Sequence, residues 1–307
     1  MDKRKRVNPK GQSVLKHNEM HSERKAFLLG ALRRANARRV RKMPAHGISH
    51  QLNVARNARW YLEKIGATQK QMNLGELGAI GHDLVRTGKE HGLASAKRTG
   101  EMLRDRVGKR TRGRITGAMA FHGVPAVKGG KRKLSDPVKD AVFFGDRLDE
   151  NGAWGVFRTC AANAELPDRV RRFRQMAAVM QERGISRQEA EREAKIWLIL
   201  KDARDEIMYG ENPGIYRDRK PIDTIPAKQY YPKEVLPTLE KYMAETKVFI
   251  AALEERSPWA IEIAEKFFAH GLECKADMDV LVKNFRPKTE GAKAYKQKAL
   301  RYLAGEI

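Results

Sequence analysis

Apolar positions recur at helical spacing along most of the chain. In the first basic stretch Phe27, Leu28, Ala31 and Leu32 form one stripe, with Ser22 as an N-cap and Glu23 in the first turn. Arg33, Arg34, Arg38, Arg39, Arg41 and Lys42 cover much of the remaining surface. Residues 1–21 are polar, carry Asn8-Pro9 and Gly11, and are expected to be disordered or loosely docked. Pro44 and Gly47 break the pattern. A helix is predicted over 48–65, with Val54, Ala58, Tyr61 and Leu62 facing inward. His50, four residues before Val54, opens that stripe and points the same way.

The next predicted helix, 73–85, carries Gly75, Gly78 and Gly81 at spacing three. Each costs about 1 kcal/mol against alanine, so three on one face imply a neighbouring helix in close approach. After the turn at 86–90, a helix over 91–107 shows Leu93, Ala96, Gly100, Leu103 and Val107 as its stripe. Ile115, Ala118 or Met119, and His122 follow at i, i+3/i+4 and i+7, so His122 points with the core stripe. A Gly/Lys/Arg loop spans 128–133. Asp136-Pro137 then supplies a cap and a first helical position for a helix with Val138, Val142 and Phe143. Further helices are expected over 168–183, 186–208, 233–256, 258–270 and 288–304, with a long Pro/Gly/Tyr-rich loop over 210–232. No strand-period segment occurs in the first half, and the fold class is all-α. Three regions are expected: a basic N-terminal arm (1–45), a helical domain (46–165) and a C-terminal helical region (166–307). His270 stands alone on an amphipathic helix and reads as structural.

A 307-residue chain that is 41% hydrophobic can bury a sizeable core. No apolar run reaches the length of a membrane span, and no apolar segment follows the basic N-terminus as in a signal peptide. Neither a membrane association nor export is expected, and the cytoplasm is the expected compartment. Two cysteines, Cys160 and Cys274, make no disulfide framework and no zinc-finger spacing. The formal charge of +24 is concentrated, with +21 of it in residues 1–160. Such a field attracts phosphate-rich partners and makes a nucleic-acid partner an expectation for the basic N-terminal half.

The chemistry centres on Gly81-His82-Asp83, a His-Asp pair in an apolar setting. Both side chains lose hydration there, and a metal ion is a partner that suits both. Five of the eight histidines fall within 46–122, among them His50, His91 and His122. Asp146, in Gly145-Asp146-Arg147-Leu148-Asp149, lies beyond them.

The order His50, His82-Asp83, His91, His122, Asp146 resembles the HD-domain superfamily of metal-dependent phosphohydrolases. Ser49-His50 entering a helix, the apolar approach to His82-Asp83, His91-Gly92 and the Gly145–Asp149 segment carry the likeness, over roughly residues 46–160. The resemblance implies a helical HD bundle in which His50, His82, Asp83 and Asp146 are metal ligands. His91 and His122 match the extra histidines of members that bind two metals, with Asp83 bridging. Asp149 shares a face with Asp146 and is the rival ligand. One departure concerns the residues after His-Asp. Leu84-Val85-Arg86 stands where many members have an apolar residue, Gly and Lys, with Lys89 only later.

Imidazole with carboxylate suits Mn²⁺, Fe²⁺, Co²⁺, Ni²⁺ or Zn²⁺, as one or two ions. Such an ion lowers the pKa of water to about 7 and neutralises charge on phosphoryl oxygens. The implied activity is hydrolysis of a phosphate ester, a nucleotide first. Asp83, His91, His122 and Arg147 would act on the substrate. Arg86, Lys89, Lys128, Lys131, Arg132 and Lys133 would border the phosphate. A nuclease is the second reading, and a di-iron oxygenase or a nucleic-acid-binding protein with an inactive site are further ones.

Overall fold

The computed structural model describes residues 9–37, 43–86, 91–120, 127–128, 131–132, 136–211, 227–273 and 276–307. It is all-α. The helices in chain order are α1 (Pro9–Ala37), α2 (Ile48–Lys64), α3 (Gln69–Gly81), α4 (His91–Met102), α5 (Lys109–Ala120), α6 (Pro137–Asp149), α7 (Gly152–Glu165), α8 (Pro167–Glu182), α9 (Arg187–Glu211), α10 (Ala227–Tyr230), α11 (Leu236–Glu254), α12 (Pro258–Glu273), α13 (Met278–Asn284) and α14 (Glu290–Ala304). A 3₁₀ turn, Pro44–His46, precedes α2. Within the segment expected to be a plain loop, β1 (Val127–Lys128) and β2 (Lys131–Arg132) pair antiparallel as a minimal hairpin. Among the described residues, no helix is long and apolar enough to cross a membrane.

Local chemistry accounts for several boundaries. Thr68 and Gln71 form a reciprocal capping box, which starts α3 four residues earlier than its apolar pattern implies. Asp136 caps α6 through the Val138 amide, with Pro137 in the first turn as predicted. Arg114 of α5 grips the same Asp136 carboxylate with two nitrogens, at 2.9 and 2.8 Å, and so ties the start of α6 to α5.

The first helix departs most from the sequence expectation. Ser22 lies inside α1, which already begins at Pro9. Its docking on α3 stabilises what local propensity leaves undecided. Leu28 and Leu32 are buried, each burial contributing about 2 kcal/mol. His21 and Lys25 both reach the Glu76 carboxylate, His21 at 2.9 Å. The Arg106 guanidinium sits 3.8 Å from the centroid of the Phe27 ring.

α2 lies between α3 and α6 and forms the spine of the first half. The three glycines of α3 serve four neighbouring helices instead of one. A methyl at Gly75 would meet Leu62 of α2, at Gly78 Val142 of α6 and Ala118 of α5, and at Gly81 Met119 of α5 and Thr99 of α4. Gly145 brings α6 onto α2 so closely that a Cβ there would stand 2.7 Å from the Val54 carbonyl oxygen. In α4 the expected stripe is partly corrected. α4 ends at Met102, short of the predicted 107; Ala96 in it and Leu103 and Val107 beyond it are buried, but Leu93 is exposed, and Ser95 and Thr99 fill the inner face in its place. Ser95 holds both the amide and the carbonyl of Val85, which closes the turn after His82-Asp83.

Helices α7, α10 and α13 have no counterpart in the sequence prediction. α7 is nearly buried all round, so it shows little amphipathic period. It packs on α12, α11, α14 and α9, and its residues share one hydrophobic core with α2, α3 and α6. Beyond residue 165, α9 packs on α6, and α13 and Tyr302 of α14 reach α2 directly.

Candidate metal centre

α2, the turn after α3, and α6 each deliver part of one buried cluster. His50, His82 and Asp83 offer ligating atoms that all lie within 4.8 Å of one another. His50 Nε2 is 3.1 Å from His82 Nε2. Asp83 Oδ2 lies 3.5 Å from His50 Nε2 and 3.8 Å from His82 Nε2. Asp146 Oδ1 adds a fourth donor at the same two distances, 3.5 and 3.8 Å. A cation about 2.0–2.3 Å from its ligands holds neighbouring donors roughly 3.0–3.8 Å apart, so the spacing fits within the His50, His82 and Asp83 group and between Asp146 and the two imidazoles. His50, His82 and Asp83 are at most 1% exposed, and Asp146 5%.

The outer nitrogens decide the chemistry of the inner ones. His50 Nδ1 bonds Asp149 Oδ2 at 2.8 Å, and His82 Nδ1 bonds the Ala79 carbonyl at 2.6 Å. Both partners accept, so both Nδ1 atoms carry the proton. The two Nε2 atoms face each other in a buried space with two carboxylates beside them, and either a proton on His50 Nε2, which its raised pKa favours, or a cation satisfies both. Imidazole held by an outer carboxylate or carbonyl is also the usual arrangement at metal sites.

The charges around the cluster are arranged accordingly. Burial opposes the charged form of Asp83, yet Arg86 and His82 hold its carboxyl well below the usual range. Burial and Arg158 lower His50, but hydrogen bonds to Asp149 and Asp83 carry it above its ordinary value. Asp149 is also held low, because Arg158 and His50 outweigh burial. Asp149, the rival ligand by sequence, thus stands behind His50. Its Oδ2 also meets Arg158 Nη1 at 2.8 Å, and its Oδ1 accepts from the Tyr302 hydroxyl at 2.8 Å.

His91, at the start of α4, places Nε2 3.5 Å from Asp83 Oδ1. Arg86 Nη1 reaches both Asp83 Oδ1 (3.1 Å) and His91 Nε2 (3.2 Å) and retains 18% side-chain exposure. Arg147 takes a different position from that expected of a phosphate-binding cation. It is buried among three carboxylates, Asp146 Oδ2 at 3.1 Å, Glu150 Oε2 at 2.6 Å and Glu206 Oε2 at 2.8 Å. These carboxylates, opposing burial, raise its pKa above the ordinary value. Of the three carboxylates, Asp146 is the one that also lies beside His50 and His82. His122 and Lys89 lie outside the described residues, as do the side chains of Lys128, Lys131, Arg132 and Lys133.

Sequence reasoning missed an outer layer. His46 Nδ1 bonds Glu165 Oε2 at 2.6 Å, and its ring packs edge-on against His50. Burial raises Glu165 to about 7 and, with Arg86 and Arg158, holds His46 well below its usual range. The pair is therefore a hydrogen bond and not two full charges at neutral pH. Arg158, Glu165, Glu206 and Tyr302 lie on helices far along the chain, and only their inward helical positions hinted at burial. No family model, curated protein or solved structure matches this chain.

Proposed function

We propose that this protein is a metal-dependent phosphohydrolase acting on a phosphate ester, a nucleotide first. The observation that carries the reading is the pair of facing Nε2 atoms, 3.1 Å apart, with carboxylate oxygens of Asp83 and Asp146 beside them. His50, His82, Asp83 and Asp146 would hold a divalent transition cation, for which mixed imidazole and carboxylate donors are suited. When bound, that cation supplies a nucleophilic water at neutral pH and neutralises phosphoryl charge. Arg86, bonded to Asp83 and partly exposed, would meet a phosphoryl oxygen. His91, also partly exposed, is within reach of Asp83 for proton exchange with a substrate oxygen or for holding a second ion. Asp149, Arg158 and Arg147 keep His50 and Asp146 in orientation.

The test is metal analysis of the purified protein, then a hydrolysis screen of nucleotides and oligonucleotides with that metal. Stoichiometric transition metal and metal-dependent phosphate release, both lost in Asp83→Ala, are expected. Hydrolysis that survives in Asp83→Ala would end the reading. A second reading, a nuclease, draws on the +21 charge of residues 1–160. Six phosphate contacts give a log–log salt slope of about −5 on duplex DNA, a roughly 10³-fold loss of affinity from about 50 to about 200 mM salt. A salt series on oligonucleotides and on a mononucleotide separates the two readings.

A further inference from the structure

Tyr302, in the last full turn of α14, is 1% exposed and lies 153 residues downstream of Asp149. Its ring is well occupied by apolar and cationic neighbours. It stacks on Trp154 at 6.2 Å, meets Tyr242 edge-on at 5.6 Å, and has the Arg56 guanidinium 4.7 Å from its centroid. A phenylalanine would satisfy all three contacts. The hydroxyl is therefore the part that packing does not explain, and a buried hydroxyl is costly unless bonded.

Its bonding is fully directed. Asn57 Nδ2 donates to the hydroxyl oxygen at 2.7 Å. The hydroxyl proton goes to Asp149 Oδ1 at 2.8 Å, because an ionised carboxylate can only accept. Asp149 Oδ2 receives His50 Nδ1 at 2.8 Å and Arg158 Nη1 at 2.8 Å. With both oxygens engaged from different directions, the carboxylate plane cannot rotate. The His50 ring follows it, and Nε2 stays aimed at Asp83 and Asp146. Asn57 also donates to the Gly145 carbonyl at 3.1 Å, so the same amide touches the helix that carries Asp146.

We propose that Tyr302 is a positioning residue for the metal centre, and that α14 acts as its clamp by locking Asp149 and through it the His50 imidazole. This rests on the metal reading above, and it assigns a role to the C-terminal region. Loss of the hydroxyl frees Asp149 Oδ1, lets the carboxylate and the imidazole swing, and weakens the cation without removing a ligand.

The experiment measures Zn²⁺ and Mn²⁺ affinity of the full chain by competition with a chelating dye. Tyr302→Phe, which keeps the stack, should bind about 3–10-fold more weakly, just under the loss typical of partners that touch a ligand directly. Tyr242→Phe removes a neighbouring hydroxyl that bonds Glu306 O and not Asp149, so it should leave affinity unchanged. In an Asp149→Ala background, which leaves the hydroxyl no partner at 149, Tyr302→Phe should add nothing further. Independently of any variant, Zn²⁺ uptake by wild-type protein carrying ¹³C-tyrosine should shift the Tyr302 ring signal and leave Tyr242 in place. Equal affinities for wild type and Tyr302→Phe would overturn the clamp alone, as would an unmoved Tyr302 signal or an equal loss in Tyr242→Phe. Wild-type protein that takes up neither cation would overturn the metal reading and the clamp with it.

Discussion

Arg147 of α6 and Glu206 of α9 meet at 2.8 Å inside the protein, and the same guanidinium holds Asp146 Oδ2 at 3.1 Å. A helix beyond the histidine-bearing region thereby anchors the cation that orients a candidate ligand. Arg147→Ala would leave Asp146, Glu150 and Glu206 clustered in a buried place without their cation. Glu150 is already raised well above its ordinary value by burial, opposed by Arg147, with Glu206 and Asp146 adding to the rise. Urea denaturation should show a loss of about 3–5 kcal/mol for Arg147→Ala. A loss confined to activity would mean that Arg147 serves substrate instead.

Asp83→Ala should abolish cation uptake and hydrolysis and leave far-UV circular dichroism unchanged. Asp83 lies in a turn outside the regular helix, so its side chain contributes donors and not helical structure. The loss should exceed the roughly 10–100-fold typical of outer partners. Metal content by elemental analysis, with the melting profile beside it, checks both halves of the expectation.

Gly145→Ala places a methyl 2.7 Å from the Val54 carbonyl oxygen and 3.1 Å from the Ala58 nitrogen, both backbone atoms that cannot rotate aside. α6 must retreat from α2, at about 1–3 kcal/mol. His50 rides on α2 and Asp146 on α6, so cation affinity should fall together with stability. Retained affinity in a destabilised Gly145→Ala protein would show that the two helices need not stay in register at the site.

Acid should release α1. Burial pushes Glu76 up, but His21 and Lys25 pull its carboxyl down to about 2 from 4.5. A depressed carboxylate stabilises the docked form fully above pH about 4.5, and the contribution fades as pH falls toward about 2. Proteolysis or amide exchange within α1 should therefore rise between those pH values. Glu76→Gln should flatten the pH response and weaken docking by about 1–3 kcal/mol at neutral pH.

The helical period alone placed His50, Val54, Ala58 and Tyr61 on one inward face, and all four are buried in α2. Asp136-Pro137 marked the start of α6, and the all-α class followed from the lack of strand period. Those features are local: capping, periodicity and backbone preference act over a few residues. Ser22 shows the limit. A sound N-cap by composition, it lies mid-helix because α1 docks on α3 on both sides of it, through His21 and Lys25 on Glu76.

Asp146 and Asp149 show the same limit at the site. They stand three apart on one helix, and periodicity gives both the same face. The crossing of α2 over α6 at Gly145 separates them, turning His50 Nε2 toward Asp146 and Nδ1 toward Asp149. The sequence by itself determined the helices, their inward faces and the set of histidines and aspartates able to converge. The tertiary structure alone decided which oxygen faces the Nε2 atoms, that carboxylates enclose Arg147, and that Arg158, Glu206 and Tyr302 close the outer layer. A helix's period fixes which side is buried, whereas the angle and register at which two helices meet depend on side chains a hundred or more residues apart.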